Sequence, residues 1–197
     1  MRAAGRYRVL GRTRDDAVGE VYDKVAKFLR LGFPGGPVVD KLARAGNPAA
    51  VAFARPMLPG TWDFSFSGLK TAVLYHVRDS GHASGPRLSP AVPLSRRPPK
   101  VFVADLCASF QEAVVDTLIE KTVLAARKTG AKRIVVGGGV AANSRLRAKF
   151  AERARKEGLE IFFPPMSLCA DNAAMIAYAG ALRLAHAGPV KRAAVNP

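Results

Sequence analysis

The sequence is poor in the residues that build metal clusters, disulfide frameworks and covalent nucleophile sites. It holds 2 cysteines, 3 histidines and 1 tryptophan in 197 residues. Cys107 and Cys169 lie far apart without ligand spacing, so they read as reduced thiols of a cytoplasmic protein. His76, His82 and His186 form no ligand set, and no HExxH is present. His76 and His186 read as helix-surface or packing residues. A GxSxG nucleophile elbow is absent, as are the GK[ST] ending of a P-loop and the GxGxxG of a dinucleotide fold. No apolar run approaches the roughly 18 residues of a membrane span. The N-terminus, MRAAGRYRVLGRTRDD, is basic without an apolar core, so no signal peptide is expected. Acid is scarce too: 15 Asp and Glu face 31 Lys and Arg, a formal charge of +16. Such a surface attracts polyanions, nucleic acid first among them.

Against that scarcity, DDAVGEVYDK gathers Asp15, Asp16, Glu20 and Asp23 at 15–24. On a helix, Asp16, Glu20 and Asp23 share one face. Two readings stay open. In the plainer one the face is solvated, and Lys24 and Lys27 pair with Glu20 and Asp23 at i,i+4. In the other the carboxylates grip hydroxyl groups of a ligand, as the acid of a dinucleotide fold grips a ribose diol.

Periodicity gives the remaining organisation. YRVL (7–10) and DFSFSG (63–68) read as strands, and the acidic stretch as a helix ended by Gly32. FPGGP (33–37) reads as a tight turn with Pro37 in the first turn of a following helix. LKTAVLYHV begins another helix. Residues 80–100 are proline-rich and without acid, a loop or linker. A long amphipathic helix is expected over Val103–Lys128, with Leu106, Phe110, Val114, Leu118 and Ala125 on its core face and Gly130 as cap. RIVV, a glycine turn and a helix from Asn143 follow, then the strand LEIFFPP and a final Ala/Gly-rich helix; the tail 189–197 reads as frayed. Alternating β and α elements predict an α/β fold with helices packed on a mainly parallel or mixed sheet.

The glycine turn, Gly137 to Gly139, feeds a helix N-terminus, a geometry suited to an anion or nucleotide. Asn143 is equally well explained as a helix N-cap. Asp171, in CADN, taken alone reads as an N-cap rather than a ligand.

Five segments occur in order: DDAVGEVYDKVAKFLRLGFPGGP, RPMLPGTWDFSFSGLKTAV, DLCASFQEAVVDTLIEKT, VVGGGVAANSRLR and FFPPMSLCADNAAMIAYAG. Together they resemble the C-terminal portion of the tRNA adenosine threonylcarbamoyltransferase family. The resemblance implies part of the second lobe of an actin, sugar-kinase and Hsp70-like ATPase fold. On that reading 1–79 and 101–188 belong to the lobe, 80–100 is an insertion, and the first lobe is absent. It implies transfer of threonylcarbamoyl from its adenylate to N6 of adenosine 37 in tRNAs reading codons that begin with A. Asp23, Gly36 and Asn143 would bind the adenylate, and Asp171 would be a ligand of one iron or zinc ion. The implied partners are tRNA, a dimerising paralogue and a small ATPase. The family's HxxxH metal motif is not in this sequence, so the chain alone is expected neither to transfer threonylcarbamoyl nor to hold metal tightly. The alternatives are a module that binds adenine nucleotide or tRNA without chemistry, and a lobe that needs a separate partner lobe.

Overall fold

The computed structural model describes residues 7–82 and 98–187; most of the proline-rich segment and the 189–197 tail lie outside the described residues. The elements are α1 (Val18–Phe28), α2 (Gly35–Ala43), α3 (Ser67–Asp79), α4 (Lys100–Thr129), β1 (Arg133–Val135), α5 (Ser144–Glu157), β2 (Glu160–Phe162) and α6 (Ala173–Ala187). β1 and β2 pair in parallel, with Ile134 opposite Ile161. The α/β class holds, but the helices pack mainly on one another rather than on a broad sheet.

α4 is the axis. The expectation of a helix with one apolar face is corrected, because nearly every residue from Val103 to Val115 is buried, Ser109, Gln111 and Glu112 included. α2 and α5 both pack on α4, and the segment after α2 lies along it. Gly46 sits so near that an added Cβ would fall 2.1 Å from the Ala104 carbonyl oxygen. The buried Ser109 hydroxyl donates to the Asn47 carbonyl (3.2 Å) and accepts from the Val51 N–H (3.1 Å), so its polar atom is satisfied.

Two apolar cores share this helix. The first joins Val21, Tyr22 and Val25 of α1, Val39 of α2, Val73 of α3 and Leu106, Phe110 and Val114 of α4. Phe110 meets the Tyr22 ring edge-on at 5.1 Å. Burying each such side chain contributes roughly 1.5–3 kcal/mol. The second core joins Val115, Ile119 and Val123 to Ile134 of β1 and to Leu146 and Phe150 of α5. An ionic ladder reinforces α4 against α5: Arg145 bonds Glu112, Lys149 bridges Glu112 and Asp116, and Arg153 reaches Glu120.

Two local expectations are corrected and one, the place of Pro37, holds. Tyr7 to Leu10 are not in a strand. The strands expected at 7–10 and 63–68 reduce to a single parallel bridge, Thr13 to Phe64. Apolar alternation there has no further ladder to join, and short isolated pairs are marginal. α2 begins at Gly35, so Pro37 falls within its first turn, where a missing N–H leaves no helical bond unmade. Finally, α1 ends before Gly32. Arg30 adopts the left-handed conformation (φ 55°). Leu31 N–H bonds the Ala26 carbonyl (2.9 Å) and Arg30 N–H bonds that of Lys27 (3.1 Å). This is the Schellman pattern, with arginine where glycine is usual.

Candidate functional site

α1, α2, the glycine turn and the N-terminus of α5 enclose a cleft of about 800 Å³. Asp23, Gly36 and Asn143 all line it, so residues 120 positions apart in sequence meet there. Asp171 is exposed and is not among the lining residues, although Ala170 is. The N-termini of α2 and α5 both open on the cleft, which makes it a natural receptor for negative charge.

Asp23 also has a structural task. Its Oδ1 accepts from the Gly35 N–H at 2.7 Å, capping α2, whose own preceding residue is the capless Pro34. The two glycines beside it differ. A Cβ on Gly35 would stand 2.6 Å from the Tyr22 carbonyl oxygen and 2.7 Å from the Asp23 Cα, so α1 and α2 meet backbone to backbone. A Cβ on Gly36 would meet nothing within 4 Å. Protein packing leaves position 36 free, and its bare backbone faces the cleft.

The other acids of DDAVGEVYDK do not line this cleft. α1 starts at Val18, so Asp16 lies before the helix rather than on its face. Asp16 takes Lys24 (2.6 Å) and Lys70 (3.1 Å), and the Lys24 hydrogen bond holds its carboxyl below the usual range. Asp15 turns to the start of α3, accepting from the hydroxyls of Ser65 and Ser67 and from the Phe66 N–H. Burial pushes the Asp15 carboxyl up, but these donors outweigh it and bring it to about 2. Glu20 pairs with Lys24 at 2.7 Å. No ion pair joins Lys27 to Asp23, because Asp23 points at α2. Both readings of the stretch thus hold in part: most of its charge is structural, and Asp23 reaches the cleft.

Asn143 is the N-cap of α5, as the plainer reading had it. Its Oδ1 accepts from the Leu146 N–H (2.9 Å) and its Nδ2 donates to Gln111 Oε1 (2.7 Å). The side chain is 8% exposed and locked in one orientation against the cleft. Gly138, at φ 84°, needs glycine for the turn that delivers it.

Sequence reasoning passed over three cleft residues. Asp40 is buried, accepting from the Ser144 hydroxyl (2.8 Å) and from Arg44 (3.0 Å), which ties α2 to α5. Tyr22 presents a buried hydroxyl that has no hydrogen-bond partner among the described residues, and burial pushes its acidity far down. Arg147 donates to the Ala141 and Pro164 carbonyls, both at 2.6 Å, and to Cys169 Sγ at 3.2 Å, pinning the glycine turn to the chain after β2. Spacing offered only one hint: Asp40 follows the FPGG turn by one helical turn, on the face of Gly36.

Asp171 has no companions for a metal. Among the described residues no three His, Cys, Asp or Glu groups gather to hold an ion. The described side chains around Asp171 do not fit a metal centre. None of the described helices is long and apolar enough to cross a membrane.

The family model for tRNA N6-adenosine threonylcarbamoyltransferase (TsaD) matches residues 1–178. The chain belongs to this family. It is 54% identical over 186 residues to the tRNA N6-adenosine threonylcarbamoyltransferase of Sorangium cellulosum, covering 93% of the chain and 48% of that relative. Against the enzyme of the same name from Anaeromyxobacter dehalogenans it is 52% identical over 190 residues, covering 94% and 52%. Against that of Thermotoga neapolitana it is 50% identical over 173 residues, covering 87% and 47%. The chain spans about half the length of these curated relatives. The TsaD match runs through the cleft and into α6, so every cleft residue described above lies inside the family region.

Proposed function

We propose that the cleft is the adenylate-binding face of a tRNA threonylcarbamoyl transfer site. The observation that carries this reading is the convergence of Asp23, Gly36 and Asn143 on one cavity, in a chain of the TsaD family. One Asp23 oxygen caps α2, and the other is available to a ribose hydroxyl. Bare backbone at Gly36 lets the nucleoside approach closely. The α5 N-terminus, presented by the glycine turn and held by Asn143 and Arg147, faces the phosphate. In the reaction so assigned, N6 of adenosine 37 attacks the carbamoyl carbon of threonylcarbamoyl-adenylate. A C–N bond forms, the bond from that carbon to the phosphate oxygen breaks, AMP leaves, and N6 gives up a proton. These residues hold and orient the leaving group. The lobe assignment, to the second half of an actin, sugar-kinase and Hsp70-like fold, belongs to the same proposal. So do the tRNA acceptor, the dimerising paralogue and the small ATPase as partners.

Calorimetric titration of the chain with AMP tests the reading. Asp23→Asn keeps an acceptor for the Gly35 N–H and loses the charge, and Asn143→Ala removes the locked amide. Each is expected to weaken binding about ten- to a hundredfold while the circular dichroism stays unchanged. Undiminished AMP binding by both variants overturns it. In the same preparation no turnover is expected on tRNA lacking the modification, since no companion ligands gather around Asp171 among the described residues; measurable transfer would refute that part.

A further inference from the structure

A second cavity of about 690 Å³ adjoins the cleft and shares Asp23 with it. Its rim is formed by Lys24, Lys27, Arg30, Gly32 and Phe33 at the end of α1, with Glu20 beside them. Two features of the rim have no structural explanation, and a third, the arginine in the Schellman turn that ends α1, is strained. Phe33 is 83% exposed, immediately before the Pro34–Gly36 wall of the adenylate cleft. Lys27 and Arg30 are exposed, and neither has a carboxylate within ion-pair distance among the described residues, whereas Lys24 on the same rim pairs with Asp16 and Glu20. Arg30 holds the left-handed conformation that glycine adopts without strain. A non-glycine residue there costs roughly 1–2 kcal/mol, and strain of this kind collects at functional positions. An exposed aromatic ring among unpaired cations matches the chemistry of a single-stranded nucleic acid, with the ring stacking an unpaired base and the cations meeting the backbone.

We infer that this rim receives the anticodon loop of the tRNA: Phe33 stacks an unpaired base next to the acceptor adenosine, and Lys27 and Arg30 hold the adjoining phosphates. The inference deepens the proposed function and rests on it for the identity of the RNA. Sharing Asp23 puts the two substrates on either side of one carboxylate. The acceptor base then enters next to the adenylate rather than across the molecule.

The test is fluorescence anisotropy with a labelled anticodon stem-loop RNA carrying an unmodified adenosine 3′ of the anticodon, compared with a fully paired duplex of equal length. Arg30→Gly is the informative variant, because it relieves the backbone while removing the charge. It is expected to leave the melting temperature equal or higher and to weaken stem-loop binding about fivefold, with the salt slope smaller by about one unit. Phe33→Ala is expected to weaken stem-loop binding about tenfold and duplex binding little. Stem-loop affinity unchanged in both variants, equal losses on stem-loop and duplex, or no stem-loop binding by the wild type would each overturn the inference. So would displacement of the RNA by polyglutamate at equal charge, which points to an acidic peptide as the occupant. AMP titration of the same variants separates the two readings. Intact AMP binding with unaltered RNA binding sinks only the rim, whereas AMP binding that ignores Asp23 and Asn143 sinks the cleft.

Discussion

α4 and α6 are both apolar, alanine-bearing helices, and the molecule treats them oppositely. In α4 even Thr117, Gln111 and Lys121 are buried. In α6, Ile176 is 69% and Tyr178 68% exposed, and every residue of Ala173–His186 except Leu182 is exposed. Among the described residues the exposed helix has no ionic ladder, whereas α4 exchanges several ion pairs with α5. Burial is therefore set by what surrounds a helix and not by its own composition. α4 has other elements on several sides, and α6 has an apolar surface that the described residues leave open. The sheet behaves like α6: Val135 is 80% exposed on the outer side of β1, while Ile134 beside it is buried.

This contrast can be broken most severely at Phe110. Phe110→Ala is expected to destabilise by about 3–5 kcal/mol, since the ring is fully buried against Tyr22 and its cavity cannot collapse between packed helices. Denaturant titration measures it, and a loss below about 1 kcal/mol would mean that α4 is not the axis. The α4–α5 ladder gives a second, pH-dependent handle. The Arg145 hydrogen bond, with Lys149 behind it, outweighs burial and holds Glu112 at about 2 against an ordinary 4.5. Its folded value is depressed, so the unfolded chain takes up its proton first as pH falls. The stabilisation is complete above pH about 4.5 and lost progressively towards 2. Glu112→Gln is expected to remove about 2–3 kcal/mol at neutral pH and to flatten the stability curve across that window. At the small end stands Ile176→Ala in α6, expected to change stability by less than about 0.5 kcal/mol. Hydrogen exchange sharpens the same point, with α6 amides exchanging at near-unfolded rates while those of α4 exchange only through global opening. Equal protection in the two helices would erase the distinction.

Helix positions were legible in the sequence because the apolar spacing of α1, α3, α4 and α5 survives in the packing. The capping residues Gly130 and Asn143 were legible as well, since local chemistry selects them. The strands at 7–10 and 63–68 were not, because pairing depends on a neighbour that periodicity does not name. α4's all-round burial was hidden for a related reason: Glu112 and Gln111 read as polar surface, and only α5 and Asn143 give them buried partners. In the cleft, Asp23, Gly36 and Asn143 came through family resemblance. Asp40 and Arg147 did not, since their roles depend on contacts 104 and 17 residues away in sequence.

The adjacent glycines of FPGGP have different prospects under mutation. At Gly35 any side chain strikes the backbone of α1, so the fold itself rejects every alternative, whatever the cleft holds. At Gly36 the protein offers no objection, and only an occupant of the cleft can. A library randomised at both codons and selected first for folding, then for AMP binding, is expected to let position 36 drift in the first round and narrow in the second. Position 35 would be invariant from the start. Two identical letters side by side thus answer to separate constraints, position 35 to the backbone of α1 and position 36 to whatever the cleft receives.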